Sequence, residues 1–589
     1  MTPWAAFDRR SAAAAGFTVI GEGEPGGKAA GLAAAREELA GRASELRFTG
    51  LEIDVPRLTV LATGVFERFL EGSGLRALVE AHEVEGLDLP AEAADRRLAV
   101  AFQRGTLPAD VVGDLWALVR ATRLPLAVRS SSRLEDALRH PFAGVYATKM
   151  VPNADADPQR RFRALVEAVR FVYASTYFRS ARAYLRAAGC APDAERMAVV
   201  IQEVVGREHG PRFYPDVSGV ARSYNFYPVG AARPEQGVVD LALGLGKTVV
   251  DGGRAWTYSP AHPRARPPFA SAAELAKATQ SDFWAVRLTP GPWDPADENE
   301  HLVRPALREA EADGALGPAA STWDAARDRI VPGTSGQGPR VLDFAPLLTW
   351  GEPPLNDALR ALLRIFETRA GDPVEIEFAL TWGQAGRPAR LGFLQVRPMA
   401  VARGDLELAP EALAHPDVIV ASERVMGHGR REFEDVVFVD PERFDRALTP
   451  AIALEVERCN AALAAAGRPY LLIGFGRWGS SDPWLGIPVS WPQIAGAAVI
   501  VEAATPALRA EPSQGAHFFH NLLGFQVGYL SVPETGRARL DWDALLALPR
   551  VTTGAHVVHA RAPGGLLAEI DGRRQLGLVR RAAAPRSDT

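Results

Sequence analysis

Cysteine is almost missing from this chain: Cys190 and Cys459 are the only two in 589 residues, and they lie far apart. A disulfide framework and a cysteine-based zinc site are both excluded. No run of about 18 uninterrupted apolar residues occurs, so no transmembrane helix and no membrane partner is expected. The first residues carry Asp8, Arg9 and Arg10 ahead of Ala-rich sequence. They lack a long apolar signal core, and a cytoplasmic location is the expectation. Neither sign of charge is in large excess: 66 basic against 71 acidic residues leave −5. A nucleic-acid binder driven by bulk charge is disfavoured. No fixed-period repeat is present, which argues against a solenoid or propeller.

What is present is ordinary globular composition, 47% hydrophobic and 23% charged, in a chain long enough for two to four domains. Residues 26–40 read GGKAAGLAAAREELA, a glycine turn followed by a run of helix formers. Residues 66–120 are mostly helical in pattern. Apolar runs at 124–129, 197–205, 218–225 and 238–243 read as strands. Residues 374–380 alternate with period two, placing Glu375 and Glu377 on one face. A glycine-containing turn at 383–388 leads to 391–397, where Gln395 and Arg397 share a face. The two segments predict a β-hairpin. After Pro398 the stretch 403–417 turns polar and acidic and predicts a linker. Residues 418–575 mix apolar strands with helical segments at 446–466 and 541–548, and a disordered tail is expected at 576–589.

Each motif with chemistry has a plainer alternative. Lys28 stands at a helix start, where N–H groups and the helix dipole favour an anion; alone, it also reads as a solvated lysine after a turn. It is not a Walker A lysine, because Glu22 replaces the first glycine and Ala29 the Ser/Thr. The run 244–248, GLGKT, fails the same test at Leu241. Arg129 followed by three serines suits phosphate recognition, because guanidinium offers a planar donor fork; the alternative is a serine-rich turn with a surface ion pair. Glu377 and Gln395 on facing strands offer the oxygens that magnesium prefers, and Arg397 lies beside them to clamp a phosphate. A solvated sheet face with polar cross-strand pairs is the bland reading.

In order, GGKAAGL, LAVRSSSRLEDALRHPFAGVYAT, MAVVIQEVV with DVSGVARS, LALGLGKTVVDG, and VEIEFAL with LGFLQVRPM resemble the nucleotide-binding region of phosphoenolpyruvate synthase and pyruvate phosphate dikinase. The resemblance covers roughly residues 15–400. It implies an α+β fold: a two-lobed ATP-grasp module followed by a smaller mixed α/β C-terminal domain. The lobes are expected at 1–195 (phosphate side) and 196–402 (adenine and metal side), and the C-terminal domain at 418–575. The resemblance also implies ATP and Mg2+ as cofactors. Lys28 and Arg129 would contact phosphates, and Gln202 and Glu203 would sit near the adenine. Glu377 and Gln395 would hold the metal, and Arg397 would grip the transferring phosphate. Two departures stand out: Lys247 replaces a usually acidic residue, and Arg133 and Leu134 replace small ones.

Full enzymes of the family continue into a swivelling domain with a Thr-Ser-His-Ala signature and then a pyruvate-binding barrel. That signature is absent here, and fewer than 200 residues follow Pro398, too few for a barrel of about 250. Phosphoenolpyruvate synthesis by this chain alone is therefore not expected. In the C-terminal region Gly474, Gly476 and Gly479 with Arg477, Ser480 and Ser481 suit an anion, while Trp478, Trp484 and Trp491 wall a pocket or pack a minicore. His517, His520 and His428 are candidate phosphoryl acceptors, with His517 preferred, or else packed and hydrogen-bonded histidines. The expected function is an ATP- and Mg-dependent phosphotransferase, a kinase moving a phosphoryl group to a C-terminal histidine or an unidentified small-molecule acceptor. The alternative is a non-catalytic ATP-sensing protein. A homodimer is compatible with the sequence but not required by it.

Overall fold

The computed structural model describes all residues except 1–3, 13–15, 86–90, 136–143, 192–194, 266–270, 385, 400, 402–405, 481–483, 506–516, 535 and 583–589. The chain forms two compact units. The first holds residues 1–224, 231–249 and 254–398; the second holds 225–230, 250–253 and 399–589.

The first unit is mixed α/β and contains two six-stranded sheets. Apolar, β-branched runs make its central strands. In the first sheet the order is Ala5–Ala6, Phe17–Ile20, Leu58–Leu61, Met197–Glu203, Leu126–Ser132, Thr148–Val151. The second runs Trp256–Tyr258, Val238–Ala242, Val217–Arg222, Val374–Thr381, Ala389–Pro398, Leu51–Asp54. The expected boundary at 195 does not separate these sheets. Met197–Glu203 pairs with strands on both sides in the first sheet, and Leu51–Asp54 joins the second by parallel pairing to Ala389–Pro398. Backbone pairing across a sheet overrides sequence order.

The expected hairpin is the centre of the second sheet. Its register sets Glu375 opposite Arg397 and Glu377 opposite Gln395, with a bulge just after Glu377. One face of this sheet is apolar and covered by the helix Leu355–Ala370, whose Leu359, Leu362 and Phe366 are buried. Phe366 packs on Phe393 with ring centroids 4.9 Å apart. Burial of each such side chain contributes about 1.5–3 kcal/mol. The other face is left for polar groups, as period two requires.

The second unit is built on a large mixed sheet. Its strands Gly528–Val532, Ala497–Ala503, Tyr470–Phe475 and the end of His428–Val439 run parallel. The long strand Val557–Asp571 pairs antiparallel with His428–Val439 and with Leu576–Arg581. That last strand lies where a tail was expected from 576; its Leu576, Leu578 and Val579 are buried. Residues 406–417 pack on this unit rather than standing free as a linker, because Leu408 and Leu413 join a small core with Val418 and Leu578.

Candidate active site

The glycine turn works by close approach. The helix Gly27–Gly41 starts after Gly26, at φ 78°. A Cβ on Gly26 would fall 1.7 Å from the Ser131 carbonyl oxygen, and one on Gly27 would fall 2.2 Å from that of Glu135. Only glycine fits either position. The turn drives Lys28 against the end of Leu126–Ser132, where its Nζ donates to Ser130 O at 2.9 Å and Glu135 Oε1 at 3.0 Å. Both side chains are buried. Lys28 is thus a compensated interior charge, not a solvated one. Glu135 also accepts from Ser130 Oγ and from the Ser132 N–H, both at 2.8 Å. Nearby Glu195 accepts from the Tyr146 hydroxyl at 3.1 Å, and burial pushes its carboxyl up to about 7. Asp136, expected beside Glu135, lies outside the described residues.

Arg129 leaves the same strand and reaches the second sheet. Its Nη2 donates to Gln395 Oε1 at 2.7 Å and lies 3.6 Å from Glu377 Oε2. Its Nη1 donates to Leu394 O at 3.1 Å and to Gln202 Oε1 at 3.4 Å. Leu394 is the residue skipped by the bulge. From Glu377 a row of alternating charges runs inward over the polar face. Arg397 Nη2 lies 3.3 Å from Glu377 Oε1 and 2.6 Å from Glu375 Oε1. Glu375 Oε2 accepts from Arg222 Nε at 3.1 Å, and Arg222 also pairs with Asp240. The Arg222 side chain is wholly buried, as is that of Glu375. Alternation lets each interior charge meet its opposite on both sides.

Arg129, Gln202, Glu377, Gln395 and Arg397 therefore converge. Glu203 does not: it faces the other side of its strand, paired with Arg57 at 2.6 Å and with Thr122 Oγ1 at 3.1 Å. Lys247 lies 5.8 Å from the centroid of the Trp284 ring. Sequence reasoning missed Arg222 and Asp240. Their signal is a charged residue inside each of two short apolar strands, DVSGVARS and VVDLAL.

In the second unit the loop after Tyr470–Phe475 uses three of its N–H groups in its own backbone bonds. The N–H groups of Gly476, Arg477 and Gly479 donate to Ala503, Leu485 and Ile487 carbonyls at 3.1, 2.9 and 3.0 Å. Trp478 is buried and donates to Val501 O, and Trp491 stacks on Phe525. Trp484 is 56% exposed. Ser480 is buried, and Ser481 lies outside the described residues. The helix His517–Gly524 starts at a half-buried His517 and buries His520. The His428 side chain is buried, 4.0 Å from Asp571. A carboxyl absent from the sequence reading, Glu502, is enclosed near the end of Ala497–Ala503 and bonded to the Tyr529 hydroxyl.

The family model of the pyruvate phosphate dikinase AMP/ATP-binding domain matches residues 23–412. The chain belongs to this family. No curated protein matches it. The converged cluster and the glycine turn lie wholly within the pyruvate phosphate dikinase domain, a nucleotide-binding domain of the kinase-type phosphotransferase class. Among the described residues no group of three His, Cys, Asp or Glu stands ready for a metal. The donor pair here is instead a carboxylate and an amide on facing strands, which fits a hard divalent cation sharing its shell with phosphates. No helix among the described residues is long and apolar enough to cross a membrane.

Proposed function

We propose that the chain is an ATP- and Mg2+-dependent phosphotransferase whose first unit is a two-lobed ATP-grasp module, each six-stranded sheet forming the wall of one lobe. The observation that carries this reading is the reach of Arg129 from one sheet to Gln395 and Glu377 on the other. A phosphate-binding group and a metal-binding pair then bear on one spot. Lys28 and Arg129 contact the ATP phosphates, and Gln202 and the neighbouring backbone of Glu203 lie by the adenine. Glu377 and Gln395 hold Mg2+, which when bound neutralises polyphosphate charge. Arg397, fixed by Glu375, faces the transferring phosphoryl group. Catalysis is then positioning and charge stabilisation.

The acceptor is a histidine of the second unit or a small molecule. His517 is the preferred histidine because it is half-buried while the side chains of His520 and His428 are enclosed. Transfer of the β-phosphoryl group, as the family resemblance implies, with a water molecule taking up the γ-phosphoryl group, yields AMP and phosphate; transfer of the γ-phosphoryl group would yield ADP.

The test is intact mass and nucleotide analysis after incubation with ATP and Mg2+, under conditions that preserve phosphohistidine. A one-phosphoryl gain mapped to His517, with AMP formed, supports the relay reading. ATP consumed with unmodified protein supports a small-molecule acceptor or water. ATP bound but intact, with every added acceptor candidate, overturns the enzyme reading in favour of an ATP sensor.

A further inference from the structure

Three guanidiniums lie along the polar face of the second sheet, and they are not held alike. Arg222 is locked between Asp240 and Glu375, with no exposed side chain. Arg397 is held by Glu375 through Nε at 2.8 Å and Nη2 at 2.6 Å, with 3% of its side chain exposed. Among the described residues Arg129 has no carboxylate within hydrogen-bond distance. Its bonds go to the neutral amide oxygens of Gln395 and Gln202 and to the Leu394 carbonyl, and among the described residues its only ion pair, to Glu377, spans 3.6 Å. It is also the most exposed of the three, at 13%. A guanidinium bonded to neutral oxygens lacks the ion-pair attraction that a carboxylate supplies, so Arg129 is the guanidinium most easily drawn off.

Its present position is the informative part. The single atom Nη2 lies within reach of both oxygens assigned to the metal, Gln395 Oε1 and Glu377 Oε2. A magnesium ion would approach the same two oxygens to about 2.1 Å. Two cations on one pair of oxygens repel strongly in a part-buried site. Arg129 and the metal therefore exclude each other. A polyphosphate offers Arg129 a better partner, a bidentate anion matched to its donor fork.

We propose that Arg129 is a tethered cation that occupies the metal oxygens until a polyphosphate draws it away, so that metal binding at Glu377 and Gln395 is held weak without nucleotide. The proposal rests on the assignment of those two residues as the metal pair. It gives Arg129 a second role besides phosphate contact: it keeps two metal oxygens paired in the nucleotide-free protein and orders the arrival of nucleotide and metal.

The experiment is titration of the full-length protein with Mn2+ in the absence of nucleotide, with free Mn2+ followed by electron paramagnetic resonance. Arg129→Met should tighten Mn2+ binding by at least about tenfold over the unaltered protein, a difference of about 1.4 kcal/mol. Arg129→Gln should do the same with a polar side chain, which guards against a folding defect in one variant. Arg129→Lys keeps the charge and should leave binding weak. Adding Glu377→Gln to Arg129→Met should abolish the gain. Unchanged or weaker Mn2+ binding in both Arg129→Met and Arg129→Gln, with Glu377→Gln still lowering it, overturns the guard while leaving the metal pair intact. If Glu377→Gln has no effect in either background, the metal assignment falls and the guard with it.

Discussion

Each unit buries a carboxyl group in a sheet, and the two are handled in opposite ways. Glu375 in the first unit has guanidiniums on both sides, Arg222 at 3.1 Å and Arg397 at 2.6 Å. Glu502 in the second unit has a phenol, Tyr529, on one oxygen, and its other oxygen has no hydrogen-bond partner among the described residues. Burial pushes Glu502 up to about 7, against a small downward pull from the Tyr529 bond and from Arg477. The first arrangement stores a charge by compensating it; the second avoids the charge, below about pH 7, by keeping a proton. The polyphosphate site proposed for this cluster needs fixed positive groups, and Glu375, with Asp240 and Glu377 at the ends of the row, compensates the buried Arg222 and Arg397. Among the described residues no guanidinium forms an ion pair with Glu502.

The largest effect expected from this contrast is at Glu375. Glu375→Leu removes the one anion shared by two buried cations and should cost about 3–5 kcal/mol, read by chemical unfolding. Glu502→Gln should be far milder at acidic pH, because the amide still accepts from Tyr529. A cost at Glu502 equal to that at Glu375 would break the comparison.

The second prediction concerns pH. The Glu502 carboxyl titrates near 4.5 when unfolded and near 7 when folded, so the folded state holds more protons between those values. Its contribution is fully present below about pH 4.5 and is lost as pH rises to about 7. The loss amounts to about 3 kcal/mol. Unfolding measured from pH 4.5 to 8 should show this decline in the unaltered protein, and Glu502→Gln should remove it. Parallel curves for the two proteins would mean that Glu502 is ionised in the fold. A third, smaller effect sharpens the same point. Tyr529→Phe deletes one buried hydrogen bond, worth about 1 kcal/mol. That bond lowers the Glu502 pKa, so its loss should move the decline to higher pH.

The sequence made the hairpin legible because the signal is local. Alternation at 374–380 and 391–397 fixes which side chains share a face, and the turn length fixes the register that pairs Glu377 with Gln395. The glycine turn at Lys28 was legible for a similar reason. The lobe boundary was not, since Met197–Glu203 is an apolar run whose partners, Leu58–Leu61 and Leu126–Ser132, lie far back in the sequence, and only long-range pairing decides. Arg222 and Asp240 were hidden by their strands: one charge in an apolar run reads as an interruption until its partner is found on the next strand. Val557–Asp571, the longest strand of the second unit, was missed because its glycines and proline at 563–565 break the pattern in the middle. There the structure tolerates Gly564 and Gly565 at φ 85° and 81°, beside a register shift in the pairing.

The smallest predicted effect tests how tryptophans divide within one segment. Trp478, Trp484 and Trp491 look alike in sequence, each flanked by glycine, proline or serine. In the fold Trp478 and Trp491 are 3% and 4% exposed, whereas Trp484 is 56% exposed. Trp478 sits over Gly474, where a Cβ would fall 2.3 Å from its ring, so the glycine and the indole are one packing unit. Trp484 has a guanidinium, Arg446, 4.9 Å from its ring centroid. An exposed cation–π contact contributes about 0.5–1 kcal/mol. Trp484→Ala should therefore lower stability by about that much, and Arg446→Ala by a similar amount. The double variant should cost less than the sum of the two, because each single change already breaks the shared contact. A large loss in Trp484→Ala would show that its indole packs in solution as its two neighbours do, and that the segment forms one aromatic core rather than two buried rings and a surface one.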